Sequence, residues 1–322
     1  MQEIVMGEDR SFQIKKYEDS DKIMWNEFLL KCKNSHFMFN RDFMEYHSDR
    51  FEDFSLIFKN DEEKIMALLP GNIKNNIFYS HQGLTFGGFL IDRGVHAADM
   101  LELFIQLKIF LKEKNIKKII YKCIPSIYHN YPAQEDLYAL FRNHANLYRR
   151  DISVCIDLEE KYSYSESKRR SIKKLKKNGI ICEEVDQPSI VWGVLREVLR
   201  QHHNQQPVHN EIEIDLLKSR FPNNIRAYKC CLGEEIVAAA VTFETERVVH
   251  TQYLASNDKG REGKVLDYLL DFLINNSKKT AKIFDFGTSN ENEGKFLNIG
   301  LINQKERFGA RAIVHDFYNI DL

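Results

Sequence analysis

Val248-Val-His-Thr-Gln-Tyr-Leu-Ala-Ser256, then Asn257-Asp-Lys-Gly-Arg-Glu-Gly-Lys264, then the amphipathic run Val265–Asn276 decide the fold when read together. The first segment reads as a strand, the second as a turn rich in glycine and cations, the third as a helix. A helix N-terminus leaves backbone amides without partners and favours anions, and glycine lets the backbone come close to them. Lys259, Arg261 and Lys264 add positive charge at that mouth. Leu254, Ala255, Ser256, Lys259, Gly260, Arg261, Gly263 and Lys264 are therefore the candidate phosphate-binding residues. As a bare pattern the same stretch also reads as a plain surface turn.

Working outward, the second half carries helices near 189–203 and 211–220 and strands near 225–232, 235–245 and 247–256. The helix near 262–277 is followed by a strand (282–286), a helix (293–306) and a strand (311–318). The first half repeats the order. Helices cover about 20–33 and 41–47, and strands lie near 54–59, 64–70, 76–81 and 84–91. A helix over 97–114 places Met100, Leu103, Phe104, Leu107 and Leu111 at i, i+3, i+4 spacing. A strand (116–123), a helix (134–145) and a strand (151–158) close it. The fold class is α+β with mixed sheets, and the domains are expected at 1–160 and 161–322. Sequence identity between the halves is weak, so the duplication is one of pattern. Between them, seven of the ten residues Lys168–Lys177 are basic. This helix of about 165–177 reads either as a solvated face or as a grip on phosphates.

The chain has 322 residues, 43% hydrophobic and 29% charged, with a formal net charge of -1. That suits a globular protein of two domains and argues against coating DNA. The cysteines at 32, 123, 155, 182, 230 and 231 show neither a zinc spacing nor a disulfide framework. No signal sequence or 18-residue apolar run is visible, so a cytoplasmic protein with no membrane span is expected.

The order strand, strand, phosphate-type loop, helix, strand, helix, strand resembles the GNAT acyltransferase superfamily. In that superfamily the loop before the helix holds the pyrophosphate of an acyl-CoA. The family loop is R/Q-x-x-G-x-G/A; here Gly260-Arg-Glu-Gly263 has one residue more between its glycines. Ile283-Phe-Asp-Phe-Gly-Thr-Ser289 and Gly300-Leu-Ile-Asn-Gln-Lys-Glu-Arg-Phe-Gly309 resemble the end of the Fem-like branch, which has two tandem GNAT folds. Phe39–Phe51, Ser80–Gly88 and Pro132–Phe141 extend the resemblance over nearly the whole chain. The tRNA-gripping coiled coil of some Fem enzymes has no heptad counterpart here.

The resemblance implies direct attack of an amine on an acyl donor. Acetyl-CoA or another acyl-CoA is the expected co-substrate, with no metal. A small molecule or glycan precursor, such as an amino sugar in cell-envelope synthesis, is the expected acceptor. A charged-tRNA donor and a non-catalytic binding module are the alternatives. Such a transfer needs a base, a stabilised oxyanion and a proton for the leaving group. Candidate catalytic residues are His250, Tyr253, Asp285 and Glu244; His250 has the most suitable ordinary pKa. Each also has a structural reading: an outward histidine, a packed tyrosine, a paired carboxylate. The polar segment Gln201–Glu213 could line an acceptor pocket, whereas its histidines lack a regular metal spacing. The acceptor side is assigned to His81, Arg169, Arg170, His203, His209, Gln252 and Lys305.

Overall fold

A computed structural model describes residues 11–203 and 207–322, leaving out the side chains of 202 and 203. The chain forms two compact units: residues up to Arg150 together with His315–Leu322, and Asp151–Val314. The expected boundary at 160/161 therefore shifts to 150/151, inside a strand. The C-terminal segment returns to the first unit because Phe317–Asp321 pairs antiparallel with Lys118–Lys122.

The first unit runs β1 (Gln13–Lys16), α1 (Lys22–Leu29), α2 (Arg41–Met44), β2 (Glu52–Asp53), β3 (Leu56–Lys59) and β4 (Ile65–Leu69). It continues with β5 (Asn72–Lys74), β6 (Ile77–Tyr79), β7 (Leu90–Ile91), α3 (Ala97–Glu113), β8 (Lys118–Lys122), α4 (Glu135–Arg142) and the start of β9 (Asn146–Asp157). One antiparallel sheet has the order β1-β3-β4-β7. The apolar positions of α3 (Met100, Leu103, Phe104, Leu107, Leu111) are all fully buried. They meet Leu56, Phe58, Leu69 and Phe89 in one core. The strand expected over 84–91 shrinks to Leu90–Ile91. Gly88 takes a φ of 92°, outside extended conformation, and the backbone at Gly87 packs directly on the Ser80 carbonyl, leaving no room for a side chain.

The second unit continues with α5 (Glu166–Lys177), β10 (Ile181–Val185), α6 (Ser189–His203), α7 (Glu211–Arg220), β11 (Ile225–Leu232), β12 (Glu235–Glu244) and β13 (Val248–Ser256). Then come α8 (Asp258–Glu262), α9 (Val265–Ser277), β14 (Ile283–Thr288), β15 (Asn290–Glu291), β16 (Phe296–Leu297), α10 (Ile299–Glu306) and β17 (Arg311–Asp321). Its sheet has the order β10-β11-β12-β13-β14-β9. All pairs are antiparallel except β13 with β14. Helix packing on both faces buries β12 without interruption from Val237 to Glu244, the pattern of a doubly covered strand. The hairpin β15–β16 takes the first part of the helix expected at 293–306. Asn292, Glu293 and Gly294 all have positive φ there, which a helix cannot accommodate.

Two features of this unit were not legible in its sequence. The basic helix α5 is neither purely solvated nor purely a phosphate grip, because it docks on α9. Buried Lys168 pairs with buried Asp267, and Lys176 reaches Asp271 at 3.1 Å. Asp267 and Asp271 are i, i+4 on α9, so one face of that helix is set to receive lysines. Cys182 and Cys230 sit opposite each other on β10 and β11 and form a disulfide. The cysteine spacing showed no disulfide framework, and this one bridge arises because cross-strand register brings together cysteines 48 residues apart.

Candidate functional site

β13 and β14 run side by side only from Val248–His250 against Ile283–Asp285. Beyond that point β13 continues to Ser256 with no β14 residue paired to it. His250 and Asp285 occupy the last shared step. The His250 Nδ1 lies 2.8 Å from Asp285 Oδ2. Asp285 is fully buried, between Phe284 and Phe286 in sequence. Its other oxygen accepts from Ser153 Oγ at 2.7 Å and from the Gly287 amide at 3.0 Å. A buried carboxylate without donors would cost several kcal/mol, roughly; three donors resolve that cost here. The expectation that Asp285 is paired is met, and its partner is the candidate base. Lys305 approaches the same turn from α10. Its ammonium donates to the carbonyls of Gly287 and Thr288 at 2.8 and 2.7 Å. Burial lowers its pKa to about 8, against the opposing pull of Asp285.

The other end of β13 opens on a cavity of about 540 Å³ whose lining includes Leu254, Ala255, Ser256, Gly260, Arg261 and Lys264. Ser167, Lys168 and Ser171 of α5 and Gln304 and Arg307 at the end of α10 also line it. A second cavity of similar size shares Ser167, Ser171 and Lys264 and takes in Arg170, Lys174, Lys259 and Gly263. The turn itself differs from a bare loop. Residues 258–262 form α8, and Asn257 Oδ1 caps the Gly260 amide at 2.9 Å. The amides of Arg261, Gly263 and Lys264 are bonded within the turn. Gly260 packs closely on β12 and β13: a side chain there would strike the Val237 carbonyl and Ser256 Oγ. Lys264 adopts a left-handed φ of 56° and starts α9. The first amides of α9, at Val265 and Leu266, have no acceptor among the described residues. They are the anion-directed amides that this helix N-terminus keeps. Of the nearby cations, Lys259 pairs with Glu235, Arg261 with Asp258 and Arg170 with Glu166. Lys264, Lys174 and Arg307 have no ion pair among the described residues.

The remaining sequence-derived candidates divide. Tyr253 Oη lies 2.7 Å from His209 Nδ1 and packs edge-on to Trp192. Burial pushes its phenol up to about 12. His209 is buried and Tyr253 half-buried beside it. Gln252 is the surplus residue where the β12–β13 register shifts, and its Oε1 is buried with no hydrogen-bond partner among the described residues. Glu244 lies across from Val249, one residue out of step with His250, and so faces the other side of the sheet. There Thr242 and Tyr228 donate to it, and burial raises its pKa. Arg169 is exposed on α5. The side chain of His203 lies outside the described residues. His81 belongs to the first unit, buried, with a left-handed φ of 67°. Among the described residues, no three or more His, Cys, Asp or Glu are grouped to hold a metal. No helix there is long and apolar enough to cross a membrane. Ser153, Gly287 and Arg307 went unread in the sequence. A strand register brings Ser153 to Asp285, and no local motif marks it, whereas Gly287 is two residues along the chain from Asp285.

No family model matches the sequence, and no curated protein sequence matches it significantly. Solved structures do match. A structure titled FemX aligns over 96% of this chain and 97% of its own, with a TM-score of 0.68 at 9% identity. The C-terminal domain of a putative lysylphosphatidylglycerol synthetase from Agrobacterium fabrum aligns over 94% and 92%, with a TM-score of 0.60 at 11% identity. A tandem GNAT protein from the clavulanic acid biosynthesis pathway aligns over 97% and 98%, with a TM-score of 0.53 at 9% identity. The fold is a tandem GNAT fold of the Fem-like kind. The likeness in each case spans both units, as the duplicated element order implied.

Proposed function

We propose that the second unit is an acyltransferase that moves an acyl group from an acyl-CoA to an amine. The observation that carries this is the parting of β13 from β14 at His250 and Asp285, with the cavity of α8 and α9 at the other end of the same strand. Four steps of strand separate His250 from Leu254, about 13 Å at the usual rise. A donor anchored by phosphate at α9 therefore needs an extended arm of that length. The pantetheine arm of CoA provides one. An acyl group esterified directly to a ribose sits within one sugar of its nearest phosphate and falls short.

When bound, the donor supplies an activated thioester. The protein does the rest. The amides of Val265 and Leu266, with Lys264 and Arg307, hold diphosphate. Asp285 keeps the proton of His250 on Nδ1, so Nε2 accepts the proton of the attacking amine. The amine nitrogen bonds to the carbonyl carbon, the C–S bond breaks, and Tyr253 gives its phenolic proton to the thiolate. Gln252 and Lys305 face the acceptor in this scheme. The resemblance to Fem-like proteins favours an amino sugar or another glycan precursor as acceptor. Incubation with acetyl-CoA and a panel of amino sugars should release free thiol and acetylated amine. Absence of both, together with no acetyl-CoA binding by calorimetry, would sink the proposal.

A second reading, transfer from charged tRNA, is favoured by the exposed cations Arg169, Lys173, Lys174 and Lys177 on α5. Filter binding of charged tRNA at rising salt separates it from the first.

A further inference from the structure

The pairing of β9 with β14 breaks where the chemistry is proposed. Asp285 faces Cys155 and Thr288 faces Ser153, so three steps on β14 match two on β9. The surplus residue is absorbed at Phe286–Gly287, where Gly287 takes a φ of 75°. That is a β-bulge with glycine in the left-handed region. In even register Ser153 would lie across from Gly287. The bulge instead brings its hydroxyl to Asp285 Oδ1 at 2.7 Å and turns the Gly287 amide onto the same oxygen. Ser153 and Asp285 are both fully buried. Two donors on Oδ1 leave Oδ2 to the imidazole, 2.8 Å away. A carboxylate paired with one ring nitrogen selects the tautomer protonated there and leaves the other nitrogen as an acceptor.

We propose that Ser153 is a positioning residue: its hydroxyl, delivered by the β9–β14 bulge, fixes the Asp285 carboxylate so that His250 holds its proton on Nδ1 and offers Nε2. The kinetic part rests on the acyl-transfer reading above; the tautomer part does not. Gly287 belongs to the same device. A side chain there would be strained by its φ and would touch His250 Cε1, 3.4 Å from the position of a Cβ.

The test uses the full chain with histidine ring nitrogens labelled with ¹⁵N. In the unsubstituted protein the His250 signal, assigned by its loss in His250→Gln, should be that of the Nδ1–H tautomer. Ser153→Ala should mix the two tautomers and lower kcat about tenfold with KM held within about twofold, the pattern of a lost transition-state interaction. Ser153→Cys keeps a donor, weaker and on a larger atom, and should fall between them. It also serves if the alanine variant fails to fold, which thermal unfolding reports. A folded Ser153→Ala or Ser153→Cys protein with the native tautomer and native kcat overturns the proposal. A tautomer change in a protein that transfers no acyl group overturns the acyl-transfer reading and leaves the positioning role standing. Native transfer with no tautomer change does the reverse.

Discussion

The two units use the same device and differ in what they place beside it. In the first, the Lys122 ammonium donates to the carbonyls of Gln82 and Leu84, and burial lowers its pKa to about 8. In the second, Lys305 does the same with Gly287 and Thr288, again at about 8. Each lysine thus pins glycine-containing backbone, just past the end of β6 in the first unit and at the bulged end of β14 in the second. Beside Lys305 stands a histidine joined to a carboxylate. Beside Lys122 stands His81, whose Nδ1 accepts from the Gly83 amide and whose ring lies 5.5 Å from that of His47. Burial, then the charges of His47 and Lys122, hold His81 well below its ordinary pKa, so it stays neutral. The lesson is that a buried lysine shapes the backbone in either copy, whereas the imidazole beside Lys305 is joined to a carboxylate and the one beside Lys122 is held neutral.

The largest effect should separate the copies. His250→Ala or Asp285→Asn should lower kcat by about 10²–10⁴, read by thiol release, with the fold intact. His81→Ala should act more weakly and chiefly on KM or stability. Equal losses at His81 and His250 would erase the distinction.

A buried lysine on a carboxylate offers a sharper contrast. Lys168→Ala leaves Asp267 buried and unpaired and should destabilise the second unit by about 3–5 kcal/mol. Lys305→Met, which strands only carbonyls, should cost about 1–3 kcal/mol. Denaturant unfolding measures both, and the reverse ranking would show that the lysines are not distinguished by their partners. Reduction of Cys182–Cys230 should lower the stability of the second unit alone by about 2–4 kcal/mol. Hydrogen exchange resolved by unit checks this, and loss of protection in the first unit would contradict it.

The smallest effects are in pH. His47 and His81 have folded pKa values below the ordinary 6.5. The unfolded chain therefore binds more protons there, and first-unit stability falls as pH drops below about 6.5. For Lys305 the folded value of about 8 lies below the ordinary 10.5, so stability rises between them. If its ammonium serves the acceptor, turnover declines above about 8 over the same range. A turnover that is flat through this window would remove Lys305 from the site.

Much of this was legible in the residues. Periodicity located α3, α6 and α7, and the resemblance on Ile283–Ser289 and Gly300–Gly309 pointed to a tandem fold. Local order also put His250 and Asp285 on strands and made both candidates, without showing that they meet. The rest depended on pairing between distant strands. Ser153 reaches Asp285 across a bulged strand pair, and Cys182 meets Cys230 only through register. Gly260 and Gly263 looked like a ligand cradle, yet the turn satisfies its own amides and Gly260 packs on neighbouring strands. The charge run on α5 hid two lysines committed to α9, since a sequence of cations does not show which ones face a carboxylate.

The pairing of Phe317–Asp321 with β8 has a consequence for biosynthesis. Residues 315–322 complete the first unit but are translated after all of Asp151–Val314. On the ribosome, the half begun first must wait for its closing strand, while the half begun second already has nearly every residue it needs.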